Sequence, residues 1–210
     1  MKIDKEKFID PNIINKSKTV ENKIQLYDHG GTMLPLPTEI EISESGTCNR
    51  SCSFCPRSAP NFDDKKEFIT NLLHEKLCLE LKEVNYKGTI RYSGFVEPLL
   101  DKNIFYLINM VRKYLPESNI EMVTNGDPLN LKRLNKLFDN GLNRLLISAY
   151  DSKEDAQKLE DLCVSANLKK EQYMVRHRYY SEDQDFGITL SNRSGLMENA
   201  EFKIESLKEP

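Results

Sequence analysis

The chain predicts an α/β fold built on a parallel sheet, and three observations carry that expectation. From residue 39 onward, short strand-like stretches with period-two alternation take turns with helical stretches of period near 3.6. Gly, Pro, Asn and Asp punctuate the changeovers. The residues able to do chemistry recur at the ends of the strand-like stretches, where parallel sheets bind their ligands.

The first 38 residues carry no clear periodicity. Asp10-Pro11, Gly30-Gly31 and Pro35-Leu36-Pro37 punctuate a leader rather than a core element. Glu39-Ile40-Glu41-Ile42-Ser43 alternates apolar and polar residues and is expected to be a strand running into a cysteine-rich loop. Leu73, Leu77, Leu81 and Val84 stand at helical spacing and predict a helix from Leu73 to Val84. Thr89-Ile90-Arg91-Tyr92-Ser93 is the second expected strand. Ile104, Leu107, Ile108, Val111 and Leu115 form one apolar stripe, closed by Pro116. Ile120-Glu121-Met122-Val123-Thr124 reads as a strand ended by the turn Asn125-Gly126-Asp127-Pro128. Leu131, Leu134, Leu137 and Phe138 mark the next helix, stopped at Asn140-Gly141. Leu145-Leu146-Ile147-Ser148 is a fourth strand and Tyr173-Met174-Val175 begins a fifth. Ala156, Leu159, Leu162, Cys163 and Ala166 share a helical face between them. Such alternation implies βαβ units with right-handed crossovers. A strand-like Gly187-Ile188-Thr189-Leu190 follows. The organisation expected is a leader over 1–38, a core domain over 39–195 and a tail over 196–210.

Composition excludes several classes. Of 210 residues, 39% are hydrophobic and 30% charged, which suits a soluble domain with a real core. A formal net charge of −3 provides no electrostatic footprint for nucleic acid. No apolar run has the length of a membrane span, and Met1-Lys2-Ile3-Asp4-Lys5-Glu6 lacks a signal-peptide core, so the cytoplasm is the expected compartment. Five cysteines, three of them clustered, fit reduced metal ligands better than a disulfide framework.

Those three are Cys48, Cys52 and Cys55, spaced C-x3-C-x2-C with no fourth cysteine nearby. Thiolates are soft ligands that select zinc or an iron–sulfur cluster. Structural zinc sites and electron-transfer clusters normally close with four protein ligands. Three thiolates on one short loop leave a coordination position for a substrate or cofactor. Cys78 and Cys163 read as structural, Cys163 because it sits on the apolar face of its helix. His29, His74 and His177 have no helical pair to make a metal site. The charged run Asp63-Asp64-Lys65-Lys66-Glu67 reads as a solvated loop.

C-x3-C-x2-C with an aromatic residue before the last cysteine resembles the signature of the radical S-adenosylmethionine (SAM) superfamily. The order and spacing of motifs extend the resemblance over residues 38–195. It implies an incomplete parallel barrel of five to six βα units, with a four-iron four-sulfur cluster on Cys48, Cys52 and Cys55. SAM would chelate the remaining iron through its amino and carboxylate groups, and its reductive cleavage would yield a 5′-deoxyadenosyl radical that takes hydrogen from a substrate. Phe54 would pack near the adenine. Ser93-Gly94-Phe95-Val96-Glu97-Pro98 looks like the family's Gly-Gly-Glu-Pro element, so Gly94 and Glu97 are expected at the SAM amino group. Val96 stands where many members carry glycine. Thr124-Asn125-Gly126 resembles the family's Thr-Asn-Gly turn, and Ser148 holds a strand-end position that commonly meets the SAM carboxylate or ribose. Arg176 and Arg178 alternate onto one face of the fifth strand, where one would pair with the SAM carboxylate. Asn192-Arg193-Ser194-Gly195 resembles the Asn-Arg-Ala-Gly element that precedes the cysteine-rich extension of SPASM and Twitch members.

The resemblance further implies an external electron donor of flavodoxin or ferredoxin type and a small-molecule or peptide substrate. No catalytic side chain is assigned beyond the cluster ligands. The residues themselves leave two other classes open, a non-catalytic iron–sulfur protein and a zinc-stabilised α/β binding module.

Overall fold

The computed structural model describes residues 24–181 and residue 183. Strands β1 (Leu26–His29) and β2 (Thr32–Pro35) form an antiparallel hairpin turning at Gly30-Gly31. The main sheet holds β3 (Glu39–Ile42), β4 (Thr89–Tyr92), β5 (Asn119–Thr124), β6 (Arg144–Ala149) and β7 (Tyr173–His177), all parallel and in sequence order. Helices α1 (Asn71–Glu83), α2 (Ile104–Tyr114), α3 (Leu131–Asp139) and α4 (Lys153–Ser165) each connect one strand to the next. Sequential order with right-handed crossovers places the helices on one face of the sheet, which is the wall of a barrel rather than a doubly wound sheet. The expected parallel barrel architecture is present. The strand-like 187–190 and the element at 192–195 lie outside the described residues.

Side-chain alternation divides each strand between two environments. Ile42, Ile90, Tyr92, Ile120, Met122, Leu145 and Ile147 face the helices and pack against Cys78, Leu107, Ile108, Val111, Leu134, Leu137 and Cys163, all buried. The opposite face is mostly polar, with Val123 and Leu146 among its residues. Register places Glu41, Arg91, Glu121 and Arg144 side by side across β3 to β6, an alternation of charge running around the barrel lumen. Arg91 bridges Glu39 at 2.7 Å and Glu121 at 2.6 Å.

Capping sets where the helices begin. Thr70 accepts from Leu73 N at 3.2 Å, Asn130 from Arg133 N at 2.9 Å and Ser152 from Asp155 N at 3.1 Å. In α1 the helical spacing is as expected, and the buried face extends one residue further round the helix. Leu73 is exposed, Leu77, Leu81 and Val84 pack partly buried against the core as expected, and His74 and Cys78 are fully buried beside them. His74 wins that position because its Nε2 meets the Tyr92 hydroxyl at 2.8 Å and its Nδ1 lies 3.3 Å from Met110 Sδ. The hairpin inside the leader escaped the sequence reading because its strands are short and mostly exposed, so no burial pattern marks them.

Candidate cofactor site

The loop from β3 to α1 carries the three cysteines and is pinned at its base. Gly46 N donates to Glu67 O at 2.9 Å and Ile69 N to Glu44 O at 2.7 Å. A Cβ on Gly46 would lie 2.2 Å from Lys65 O, so only glycine lets the two limbs of the loop approach this closely. Within the loop, Cys55 N donates to Cys52 O at 2.9 Å, and Pro56 opens a short 3₁₀ turn over Pro56–Ser58. Arg57 anchors that turn by donating to Gly46 O at 3.1 Å and Phe95 O at 3.0 Å, and it also pairs with Asp64.

Cys48, Cys52 and Cys55 are half-buried free thiols lining one cavity of about 360 Å³ at the C-terminal ends of the strands. Phe54, Gly94, Glu97, Thr124 and Asn125 line the same cavity, so eight of the expected positions meet in one place. Burial pushes the Cys48 thiol above its ordinary range and the Cys52 thiol up to about 11. Both are protonated at neutral pH, and a metal centre must displace those protons on binding. Among the described residues, no three His, Cys, Asp or Glu side chains converge closely enough to hold a single ion. A four-iron cluster sets a different requirement, because each thiolate takes its own iron. Three soft donors around one cavity fit that requirement.

Glu97 is buried and already engaged. Its Oε1 accepts from Thr124 Oγ1 at 2.7 Å and Leu99 N at 3.0 Å, and its Oε2 from Asn125 N at 2.8 Å. It therefore ties the end of β4 to the turn after β5. Desolvation raises its pKa, while these hydrogen bonds pull the other way. Gly94 has φ +121°, and a Cβ there would fall 2.1 Å from Ser43 Oγ, so the β3 and β4 ends close together only around glycine.

Ser148, Arg176 and Arg178 are not brought to the cavity wall. Ser148 is fully buried, accepts from Arg176 Nη2 at 2.8 Å and shares a hydrogen bond with the Tyr150 hydroxyl. Arg178 is buried and its backbone N donates to Ala149 O at 2.7 Å. Tyr150 takes the wall position, with its ring 5.4 Å from that of Phe54. Sequence reasoning missed Tyr150, Arg50 and Glu41 as site residues. Tyr150 and Arg50 were discoverable, because one follows a strand end and the other lies between two candidate ligands. Glu41 faces the cavity only through the strand's register.

The radical SAM superfamily profile matches residues 42–182. The chain is 29% identical over 161 residues to the S-adenosyl-L-methionine-dependent 2-deoxy-scyllo-inosamine dehydrogenase of Niallia circulans, covering 76% of this chain and 60% of that protein. It is 32% identical over 123 residues to the GTP 3′,8-cyclase of Aliarcobacter butzleri, covering 57% of this chain and 37% of the cyclase. The crystal structure of BtrN in complex with AdoMet and 2-DOIA superposes with a TM-score of 0.66 at 28% identity, covering 78% of this chain and 63% of BtrN. The chain thus spans about 60% of the length of the dehydrogenase it matches. The protein anSMEcpe with bound AdoMet shares the fold, with a TM-score of 0.52 at 17% identity over 67% of this chain and 42% of that one. No helix among the described residues is long and apolar enough to cross a membrane. With the profile covering well over half of its length, the chain belongs to the radical SAM superfamily, whose cofactors are a four-iron four-sulfur cluster and SAM.

Proposed function

We propose that this chain is a radical SAM enzyme in which Cys48, Cys52 and Cys55 hold the cluster and the rest of the cavity wall orients SAM. The observation that carries the reading is the meeting of three thiols with Gly94, Glu97, Thr124 and Asn125 around one cavity at the C-terminal rim. The chemistry supplied by cluster and SAM when bound is reductive cleavage of SAM followed by hydrogen-atom abstraction from the substrate. The protein's own part is geometric and electrostatic. Glu97 fixes the Thr124-Asn125-Gly126 turn and keeps one acceptor position on Oε2 for the SAM ammonium. Phe54 flanks the adenine, with Tyr150 packed against it. Ser148, Arg176 and Arg178 support Tyr150 from behind rather than touching SAM. An external donor of flavodoxin or ferredoxin type supplies the electron, and the free thiols support a reducing compartment such as the cytoplasm.

For the substrate we favour a small molecule bearing amine or hydroxyl groups over a peptide. Arg50, Arg57 and Glu97 on the cavity wall all have protein partners, whereas the Glu41 carboxylate has no hydrogen bond or ion pair among the described residues. A free carboxylate beside Ser43 and Ser93 is suited to an ammonium or a polyol. The amino-cyclitol named for the Niallia circulans relative has that chemistry, which makes 2-deoxy-scyllo-inosamine the first compound to test.

Anaerobic reconstitution with iron and sulfide, followed by dithionite and SAM, is expected to give 5′-deoxyadenosine and methionine. Cys52→Ala is expected to lose the cluster, read by iron and sulfide content. Stoichiometric zinc with no iron–sulfur cluster would overturn the reading, and a cluster without SAM cleavage would leave a non-catalytic iron–sulfur protein. Glu41→Gln should leave substrate-free SAM cleavage unchanged while turnover of an amine-bearing substrate falls; equal turnover would remove Glu41 from substrate recognition.

A further inference from the structure

Between the first two cysteines stand Asn49 and Arg50, and both reach across to the loops that end β5 and β6. Arg50 is held by two carboxylates at once. Its Nε and Nη2 donate to Asp127 Oδ2 and Oδ1 at 2.7 and 2.5 Å, and its Nη1 and Nη2 to Asp151 Oδ1 and Oδ2 at 2.6 and 2.7 Å. The guanidinium also lies 5.6 Å from the centre of the Tyr150 ring. Asn49 adds a second tie, donating to Asp127 Oδ2 at 2.6 Å and accepting from Asn125 Nδ2 at 2.7 Å. A single exposed ion pair fixes little. Two bidentate forks on one arginine fix the position and orientation of the residue that carries it, and the planar guanidinium is the group that can make them.

The backbone of that same residue points at a candidate ligand. Arg50 N lies 3.4 Å from Cys48 Sγ, and Asn125 Nδ2 lies 3.8 Å from the same sulfur. Hydrogen bonds to ligand sulfurs are among the levers that set the reduction potential of an iron–sulfur centre. We propose that Arg50 is a positioning residue, clamped by Asp127 and Asp151 so that its backbone N–H is held on the Cys48 sulfur, and that this clamp sets the potential at which the cluster accepts its electron. The proposal rests on the assignment of Cys48, Cys52 and Cys55 as ligands.

The clamp makes a prediction that charge alone does not. Removing the Arg50 cation disfavours the reduced, more negative cluster, whereas removing either aspartate charge favours it. Positioning predicts one direction for all of them, because each substitution opens the clamp and loosens the N–H···S contact.

The experiment is potentiometric titration of the reconstituted full chain, followed by electron paramagnetic resonance. Variants are Arg50→Lys, Arg50→Gln, Asp127→Asn and Asp151→Asn, with thermal unfolding of each metal-free protein as the check on folding. Asp151 is the most exposed member of the clamp, at 58%, so Asp151→Asn is the variant expected to disturb the fold least. The expected result is a shift to more negative potential in all four, including Arg50→Lys, which keeps the charge but loses the forks. A wild-type potential in Arg50→Lys overturns the proposal, as do shifts of opposite sign in the arginine and aspartate variants. Wild-type protein that assembles no cluster overturns the ligand assignment and the proposal together; a normal wild-type cluster with unshifted variants overturns the proposal alone.

Discussion

Glu44 and His74 both carry ionisable atoms out of water close to Tyr92, and burial acts on them in opposite directions. Neither oxygen of Glu44 has a hydrogen-bond partner among the described residues, and burial raises its pKa from 4.5 to about 8. Burial lowers that of His74 from 6.5 to about 4. The folded state therefore favours the neutral form of each. For Glu44, whose folded value is the higher, the favourable contribution is complete below 4.5 and is lost as pH rises through about 8. For His74, whose folded value is the lower, the contribution is present above 6.5 and is lost as pH falls through about 4. Glu44→Gln keeps the shape and removes the titration. It is expected to be more stable than wild type by about 2–4 kcal/mol at alkaline pH, because the amide stays neutral where the carboxylate must ionise out of water. The advantage should shrink toward pH 4.5. Urea unfolding across the pH range checks this, and a difference independent of pH would contradict it.

At the scale of elements, the ends of β3 and β4 meet through Gly94. Its φ of +121° is strained for any other residue, and the added Cβ would strike Ser43 Oγ at 2.1 Å. Gly94→Ala is expected to cost about 1–3 kcal/mol of stability and to weaken SAM binding by displacing the cavity rim. Adding Ser43→Ala should recover the part due to the collision and leave the part due to backbone strain, so a double-mutant cycle by thermal unfolding separates them. Strictly additive effects would show that the two residues do not meet. The same scale shows how much of each element was legible. Hydrophobic period and the breakers that follow it located α2, α3 and α4 to within a few residues, because a helix of this length must bury one face. For α1 the period and most of the face were readable but His74 was not, since a histidine is placed by its hydrogen-bond partner and not by its hydropathy.

Across the whole molecule, the sheet separates an apolar face under the helices from a charged lumen. In that lumen Arg91 is buried with Glu39 and Glu121 on either side, and Asn119 Nδ2 donates to Glu121 Oε1 at 2.9 Å. Removing the central cation leaves the buried Glu121 carboxylate unpaired, with the half-buried Glu39 carboxylate close by. Arg91→Leu is therefore expected to destabilise the fold by about 3–5 kcal/mol, read as a lower urea midpoint, with a smaller loss in Arg91→Lys. A loss below about 1 kcal/mol in Arg91→Leu would mean that the three charges behave as a surface network. Alternation in the strands foretold a second face for each of these residues. It did not foretell that Glu41, Arg91, Glu121 and Arg144 would stand in one row, because register is a property of paired strands.

The sequence by itself determined the βα order, the parallel sheet and the three-cysteine loop at a strand end. Each of these rests on local spacing, through helical period, turn residues and the separation of thiols along a short loop. The tertiary structure decided which side chains share the cavity. Thr124 and Asn125 reach it because Glu97 ties them to the neighbouring strand end. Tyr150 stands on its wall with Ser148 and Arg176 behind it. Arg50 is clamped by partners 77 and 101 residues away in the chain. Contacts at such separations follow from strand register and burial, which no stretch of the chain carries alone.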